Sequence, residues 1–462
     1  MESSVEHLPS SLPVDNPTTP FWRTELHELD EHRSSPELPH KSDIVIIGAG
    51  HAGVSIAYHL LKSDKDAEGE PKSSITILEA RQVCSGATGR NGGHLRPDLY
   101  GRIPKYMKRH GVEAAAEVGN FEVAHIQAFN KLISEENIDC DLVITRSMNV
   151  YLNADEANQA RETYESLAAQ GLSFTDDIQY TSGKLAEAAS GIKDAKACLS
   201  CTAGSLWPYK LVTSLLTKVL ETGAVNLQTL TPVTSVTSEA PDSHRVHTPR
   251  GSIRTKKVVY ATNAYTFGLL PEYRESIVPC RGICCHIALP EGQEPPSVSY
   301  TYILGTEDRN GSSYLISRPD RTIIVGGAQK SFKGFRNQWY NVVDDSTLIE
   351  PARSYYDGYM QRTFRGWDTT DAHVKEIWTG IMGYSYDSLP HVSDIPGRPG
   401  QYICGGFDGH GMPIIFLAAR GLAQMIRMGK KFEEVNLPRL YKSTAERLRA
   451  AQNGKEGGDI LA

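Results

Sequence analysis

The chain has 462 residues, about three times a 150-residue domain, so two or three domains and a large enclosed pocket are within its reach. Forty-eight Lys and Arg against 55 Asp and Glu give a formal charge of −7 with no basic stripe, which argues against a nucleic-acid partner. Gly and Pro, 40 and 25 residues, are too few for a low-complexity or collagenous chain, and 40% hydrophobic residues suffice for a globular core.

The opening MESSVEHLPSSLPVDNPTTP is polar and acidic and lacks the basic start and apolar centre of a secretory signal. Residues 1–41 read as a leader that is either disordered or laid across the surface. Residues 43–47 (DIVII) form a β-branched run met at once by glycines and then by an apolar helix over 54–61. The charged stretch 62–74 reads as an exposed loop. Residues 75–78 (ITIL) supply a second short buried strand that ends at Glu79 and completes a βαβ unit. Helical spacing follows over 112–136, a strand over 142–152 and a helix over 155–170. The segment 209–221 is amphipathic with Pro208 at its first turn, where a missing N–H costs nothing.

Short strands then cluster at 225–227, 233–236, 244–247 and 257–261. Residues 280–328 are β-rich, followed by a helix around 346–360 and a strand around 374–381. The strand 402–404 leads through glycines into a last helix, 414–428. The apolar stretch there is interrupted by Pro413, Arg420 and Gln424, and about 20 apolar residues are needed to cross a bilayer, so no membrane span is expected. Eight cysteines, with one CxxC (Cys198, Cys201) and one adjacent pair (Cys284, Cys285), read as buried reduced thiols and not as metal ligands. No metal is expected, and the cytoplasm is the default compartment.

Gly48-Ala49-Gly50-His51-Ala52-Gly53 is a GxGxxG set directly between strand and helix. Gly48 permits the tight turn, Gly50 lets the backbone approach a pyrophosphate, and Gly53 lets the helix pack close to the strand. The helix N-terminus favours the diphosphate charge through its unpaired N–H groups and its dipole. Glu79 stands where a carboxylate hydrogen-bonds a ribose, the insertion at 62–74 accounting for a spacing longer than about 20 residues. These residues do not separate FAD from NAD, and there is no second GxGxxG to bind both. The fold class is α/β (α+β overall), a Rossmann-like domain interleaved with an antiparallel-sheet domain.

DIVIIGAGHAGVSIAYHL, ITILEA and CSGATGRNGGHLRP together resemble the N-terminal region of the D-amino-acid-oxidase-like (DAO) superfamily of FAD-dependent oxidoreductases. Similar segments continue through GSLWPYKLV, VVYATNAY, PCRGICCHIA, IIVGGA, GIMGYSYDSLP and GGFDGHGM, covering about 42–428. The form GATGRNGG is most similar to γ-glutamylputrescine-oxidase-like and sarcosine-oxidase-like amine oxidoreductases. The resemblance implies FAD, a discontinuous FAD domain of 42–105, 196–266 and 388–435, a substrate domain of 106–195 and 267–387, and a tail of 436–462.

The same resemblance implies which residues meet the cofactor. Beside Gly48, Ala49, Gly50, His51, Ala52 and Gly53 these are Glu79, Ala80 and Arg81. Gly89, Arg90, Asn91, Gly92, Gly93, His94 and Leu95 run along the flavin. Val233 offers its backbone to the adenine, and Ala261 and Thr262 lie against the adenosine half. Gly383, Gly406, Phe407, Gly409, His410, Gly411 and Met412 pass near the ring, and the helix after them points its N-terminus at the pyrimidine carbonyls.

The implied reaction moves a hydride equivalent from a C–H bond beside nitrogen to flavin, with a small-molecule amine or amino acid as substrate and O2 or another electron acceptor. Exposing the lone pair of an amine needs aromatic walls and a neutral hydrogen-bonding group, for which Tyr386 and His410 are the candidates. Arg96 and Tyr100 are placed to meet an anionic substrate group, with a surface charge as the alternative for Arg96. Trp367 and Trp378 read as core. Two positions depart from monomeric sarcosine oxidases. Ile324 stands where they carry an oxygen-promoting lysine, and Pro413 where they carry a carboxylate-binding lysine, which favours a larger amine over a small α-amino acid. Arg90 occupies the place of the linking histidine of dimethylglycine-dehydrogenase-like proteins and no cysteine lies near Met382, so the FAD is expected to be non-covalent. An NAD-dependent dehydrogenase and a flavin-binding protein without turnover stay open. No motif encodes the substrate or the oligomeric state.

Overall fold

The computed structural model describes residues 12–66, 73–240, 242–294, 296–306 and 311–453. Lys41–Ile47 lies at the centre of the first sheet because its side chains are buried alternately on two covered faces. Ile44 and Ile46 face a core shared with the helices His51–Asp66, Pro208–Leu220 and Ile415–Met428. Val45 and Ile47 face the other side, where Val246, Val258 and Ile403 pack. The strand pairs in parallel with Gly251–Tyr260 and Ile75–Leu78, and Gln401–Gly405 and Val225–Gln228 extend the parallel array outward. Ser243–Thr248 and His391–Asp394 add antiparallel partners.

The second sheet runs in the order His373–Ser385, Ile277–Ala288, Ile323–Gly326, Ser312–Ser317, Thr301–Gly305, Val143–Tyr151, Ala197–Ser205, His94–Leu95. It is antiparallel except where Thr301–Gly305 lies parallel to Val143–Tyr151. This sheet includes His94–Leu95 and Ala197–Ser205, which the sequence reading assigned to the cofactor domain. A β-strand whose motif residues touch the cofactor can still be hydrogen-bonded into the neighbouring sheet.

Several other expectations shift. The first helix runs from His51 to Asp66, longer than 54–61, and most of the remaining charged loop, 67–72, lies outside the described residues. The helix expected around 346–360 is instead a 3-10 turn, Glu350–Ala352, and a short helix, Tyr359–Thr363. Ile349, Ala352, Tyr356 and Met360 are buried at helix-like spacing. Pro351 lacks an N–H, and Gly358, at φ +63°, starts a separate turn. Val233 and Thr234 precede the strand Ser235–Ala240.

The described part of the leader is not simply laid across the surface, because Phe21 and Trp22 are buried in the core. Trp22 is fully buried, its backbone oxygen accepts a bond from Trp207 Nε1 at 2.7 Å, and the Arg318 guanidinium lies 4.7, 5.3 and 4.6 Å from the rings of Phe21, Trp22 and Trp207. The C-terminal segment is also built in. Tyr441 is fully buried, Ser443 bonds Tyr273 and His391, and Arg447 pairs with Asp387 at 2.7 Å. All eight cysteines are free and buried, and among the described residues no helix is long and apolar enough to cross a membrane.

Candidate active site

Two connected chambers lie between the sheets. The smaller, about 160 Å³, sits at the C-terminal ends of the parallel strands, the usual ligand position of an open α/β sheet. Gly48, at φ +112°, makes the turn, and a Cβ there would stand 2.6 Å from the Ala261 carbonyl oxygen. A Cβ on Gly53 would stand 1.9 Å from the Gly48 oxygen, so only glycine lets the helix close on the turn. Glu79 accepts bonds from the N–H groups of Ala49 (2.8 Å) and Arg81 (2.9 Å), which fix its carboxylate beside the chamber. Gly50, His51, Ala52, Ala80, Arg81, Val233, Ala261 and Thr262 complete the expected part of the lining.

The chamber fits a polar, anionic ligand. His51 Nδ1 and Nε2, Ser85 Oγ and the Tyr265 hydroxyl are buried around it without partners. Burial, with His125 adding to it, pushes the His51 pKa down to about 3, so its ring is neutral. Arg81 and Arg90 share the buried carboxylate of Asp345 at 3.0 and 3.3 Å, and Arg81 lines the chamber alongside the Glu79 carboxylate.

The larger chamber, about 450 Å³, shares the walls His51, Thr88, Asn263, Phe407 and Ile415 with the smaller one. Arg90, Asn91, Gly92 and His94 line one side and Phe407, Gly409, His410, Gly411 and Met412 another. The second sheet supplies Cys280, Gly282, Cys284, Met382, Tyr384 and Tyr314. The Tyr314 ring fills space that a Cβ on Gly92 or on Gly326 would invade, at 2.2 and 2.1 Å, and its hydroxyl meets Cys284 Sγ at 3.0 Å.

Four groups in this chamber carry chemistry. His94 Nε2 donates to the Leu315 carbonyl at 3.0 Å; burial lowers its pKa to about 4, and a neutral ring so bonded keeps its lone pair on Nδ1. His410 Nε2 lies 2.9 Å from Glu122 Oε2, and Glu122, almost fully buried on the helix Val112–Glu136, also accepts from the Asp98 N–H at 2.7 Å. Asp408, at φ +53°, pairs through Oδ2 with Arg102 at 2.7 Å while Oδ1 is buried without a partner. Burial raises the Asp408 pKa against the pull of Arg102 and His410. Tyr384 faces the same space, and a Cβ on Gly409 would lie 3.2 Å from its hydroxyl.

Not every expected residue reaches the chambers. Tyr386 lies beyond the strand end at Ser385, is half-buried and is absent from either lining; its N–H donates to Ser276 O at 3.0 Å, and of the two tyrosines in YSYDSLP it is Tyr384 that lines the chamber. Arg96 is buried in the lining, not on the surface, with its charge met by Asp98 at 3.3 Å and by Ser147 and Asn149 at 3.1 Å each. Tyr100 packs beside it, outside the lining. Ala49, Gly53, Gly89, Gly93, Leu95, Gly383 and Gly406 shape the backbone without lining either chamber. Trp367 and Trp378 are core, and Trp378 Nε1 donates to Arg90 O at 2.9 Å. The last helix does begin at the chambers, but the N–H groups of Ile414, Ile415 and Leu417 already bond Gly411 O and His125 Nε2, so its dipole remains available and these donors do not.

Sequence reasoning missed Asn263, whose Oδ1 accepts the Gly406 N–H at 3.0 Å from a left-handed backbone, φ +43°. An Asn just after a strand end is the signal that was available. Thr88, whose hydroxyl accepts the His51 N–H at 3.0 Å, was also missed, as was Glu122, buried mid-helix among apolar neighbours.

A dinucleotide cradle opening into an enclosed, partly aromatic chamber defines a nucleotide-cofactor oxidoreductase. Residues 43–425 match the DAO family, FAD dependent oxidoreductases, and the chain belongs to it. The gamma-glutamylputrescine oxidoreductase of Escherichia coli K12 is 23% identical over 394 residues, 83% of each chain. In fold, the L-proline dehydrogenase of P. horikoshii superposes with a TM-score of 0.69 at 20% identity, covering 90% of this chain and 99% of that one. The glycine oxidase of Geobacillus kaustophilus gives 0.69 at 18% identity, covering 88% and 99%. FAD is thus the cofactor, the chain is an FAD-dependent oxidoreductase, and the NAD-dependent alternative falls.

Proposed function

We propose that the protein oxidises a C–N bond of an amine or amino acid. The observation that carries this reading is the large chamber, where Tyr384, His94, Asp408 and His410 line one space beside the residues that would hold the cofactor. FAD, when bound, supplies the hydride acceptor. An amine of pKa near 10 arrives protonated, and freeing its lone pair at pH 7 costs about 4 kcal/mol. His410, held by Glu122 and next to Asp408 in the lining, accepts the ammonium proton. Tyr314, Tyr384 and Met382 enclose the neutral amine and exclude water. Loss of a hydride from the C–H bond beside nitrogen would leave an imine, which water hydrolyses to a carbonyl compound and an amine.

The relatives' substrates support an amine, and Pro413, which lines the chamber without charge or N–H, supports one larger than a small α-amino acid. Ile324 is fully buried in the core and outside the lining, so its strand brings no cation to the chamber, and the electron acceptor is O2 or another oxidant. Arg90, tied to Ser85, Thr18 and Thr379, supports non-covalent FAD. Eight free thiols support a cytoplasmic location.

The test is an anaerobic titration of the yellow protein with amines and N-substituted amino acids. Bleaching of the flavin band near roughly 450 nm supports the reading. A flavin that stays oxidised with every amine identifies a cofactor-binding protein without turnover. Acid precipitation is expected to leave the colour in the supernatant.

A further inference from the structure

Residues 12–18 (LPVDNPT) precede the first strand, and the cofactor motifs take no account of them. Leu12 and Pro13 nevertheless form part of the wall of the small chamber, facing the volume bounded by Gly50, Glu79 and Ala80. The Val14 carbonyl accepts Arg81 Nη1 at 2.9 Å. Thr18 closes the segment down. Its N–H donates to Asp345 O at 2.8 Å, its carbonyl accepts Arg90 Nη2 at 2.7 Å, and its hydroxyl accepts both Arg90 Nη1 and the Thr379 N–H at 3.1 Å.

Asp345 itself binds Arg81 and Arg90, and these three side chains are 1%, 6% and 1% exposed. The segment, an acid from the second domain and two arginines from the cofactor loops therefore form one buried clasp. Asp345 is the carboxylate that both buried arginines share, so its loss would leave two desolvated charges without it. Pro13 and Pro17 restrict the unfolded segment, which lowers the entropy lost when it is laid down. Beyond it, Phe21 and Trp22 fix the chain in the core, so the segment is tethered at one end and clasped over the chamber at the other.

We infer that residues 12–18 belong to the FAD site: they wall the chamber that takes the adenosine diphosphate half, and FAD leaves only when this segment lifts. The clasp sits on the protein's own groups, so its effect is separable from catalysis.

The test uses the full-length chain carrying Leu12→Gly with Pro13→Gly. FAD release after dilution is followed by flavin fluorescence, ADP binding to FAD-stripped protein by calorimetry, and the melting of the stripped protein by circular dichroism. Release at least about tenfold faster and ADP binding weakened by a similar factor, about 1.4 kcal/mol, are expected, with the stripped protein melting within about 2 °C of the unaltered one. Release within about twofold of the unaltered protein overturns the inference. Weakened FAD with unchanged ADP also overturns it, because the segment then acts elsewhere. A stripped protein that melts markedly lower overturns it in favour of a purely structural segment. Thr18→Val keeps the shape and removes the hydroxyl from the clasp; release about threefold faster is expected, and no change counts against the clasp even if the double variant fails to fold.

Discussion

The two chambers share a wall, yet they are built in opposite ways. The small one has one wall made by backbone, in which a strand end, a turn at Gly48 and the first turn of a helix follow one another directly in the chain, with short runs at 78–88 and 261–265 beside it. The large one is made by side chains that come from His94, Tyr314, Tyr384 and His410, on separate strands and loops of both halves. A site formed by backbone geometry leaves a local signature in sequence, and a site formed by side chains meeting across strands leaves almost none.

The largest effect expected is from Gly53→Ala. Its Cβ would overlap the Gly48 carbonyl at 1.9 Å, and backbone cannot move aside as a side-chain tip can. Loss of FAD and a destabilisation of about 3 kcal/mol or more are expected, read from the flavin absorbance and urea unfolding. A yellow, stable variant would break the claim that backbone defines the small chamber.

Next is the response to acid. His51, His59 and His125 are buried, and burial pushes their pKa values from 6.5 down to about 3, 3 and 4. Their folded values are depressed, so the stability they permit is complete above pH 6.5 and is lost as pH falls from there toward 4. At pH 5 each costs about 2 kcal/mol relative to a histidine free to protonate. Chemical denaturation between pH 7 and 5 checks this, and His125→Gln should flatten the slope by about one third of the three residues' share. A flat profile would refute the buried neutral rings.

Smaller effects separate the chemistry of the large chamber. Tyr384→Phe should slow anaerobic flavin reduction about tenfold, the worth of one lost hydrogen bond, while Tyr386→Phe stays within about twofold. The reverse ranking would restore Tyr386 to the site. Glu122→Gln should leave Tm nearly unchanged and slow reduction about threefold, because an amide holds the His410 ring less firmly than a carboxylate does. Unchanged reduction would leave Glu122 with a packing role only.

The legibility of the sequence follows the same division. The parallel strands, the glycine turn, Glu79 and the GHGM loop were readable because each rests on a period or a fixed glycine spacing. Tyr384 was passed over for Tyr386 because both stand in YSYDSLP and only the strand end at Ser385 decides between them. The burial of Arg96 depends on Asp98, Ser147 and Asn149, two of which come from another strand. The leader was unreadable for a different reason: Phe21 and Trp22 are inserted between other elements without any helical or strand period.

The adjacency of Lys41–Ile47, Gly251–Tyr260 and Gln401–Gly405 has a consequence for biosynthesis. The βαβ unit is made before Gly251–Tyr260, which covers the open edge of its first strand, and the Phe407 and Ile415 walls of both chambers follow much later. Until those walls are made, both chambers are incomplete. Cofactor capture is therefore a late, post-translational event, and cells short of flavin should accumulate full-length apoprotein in preference to truncated chains.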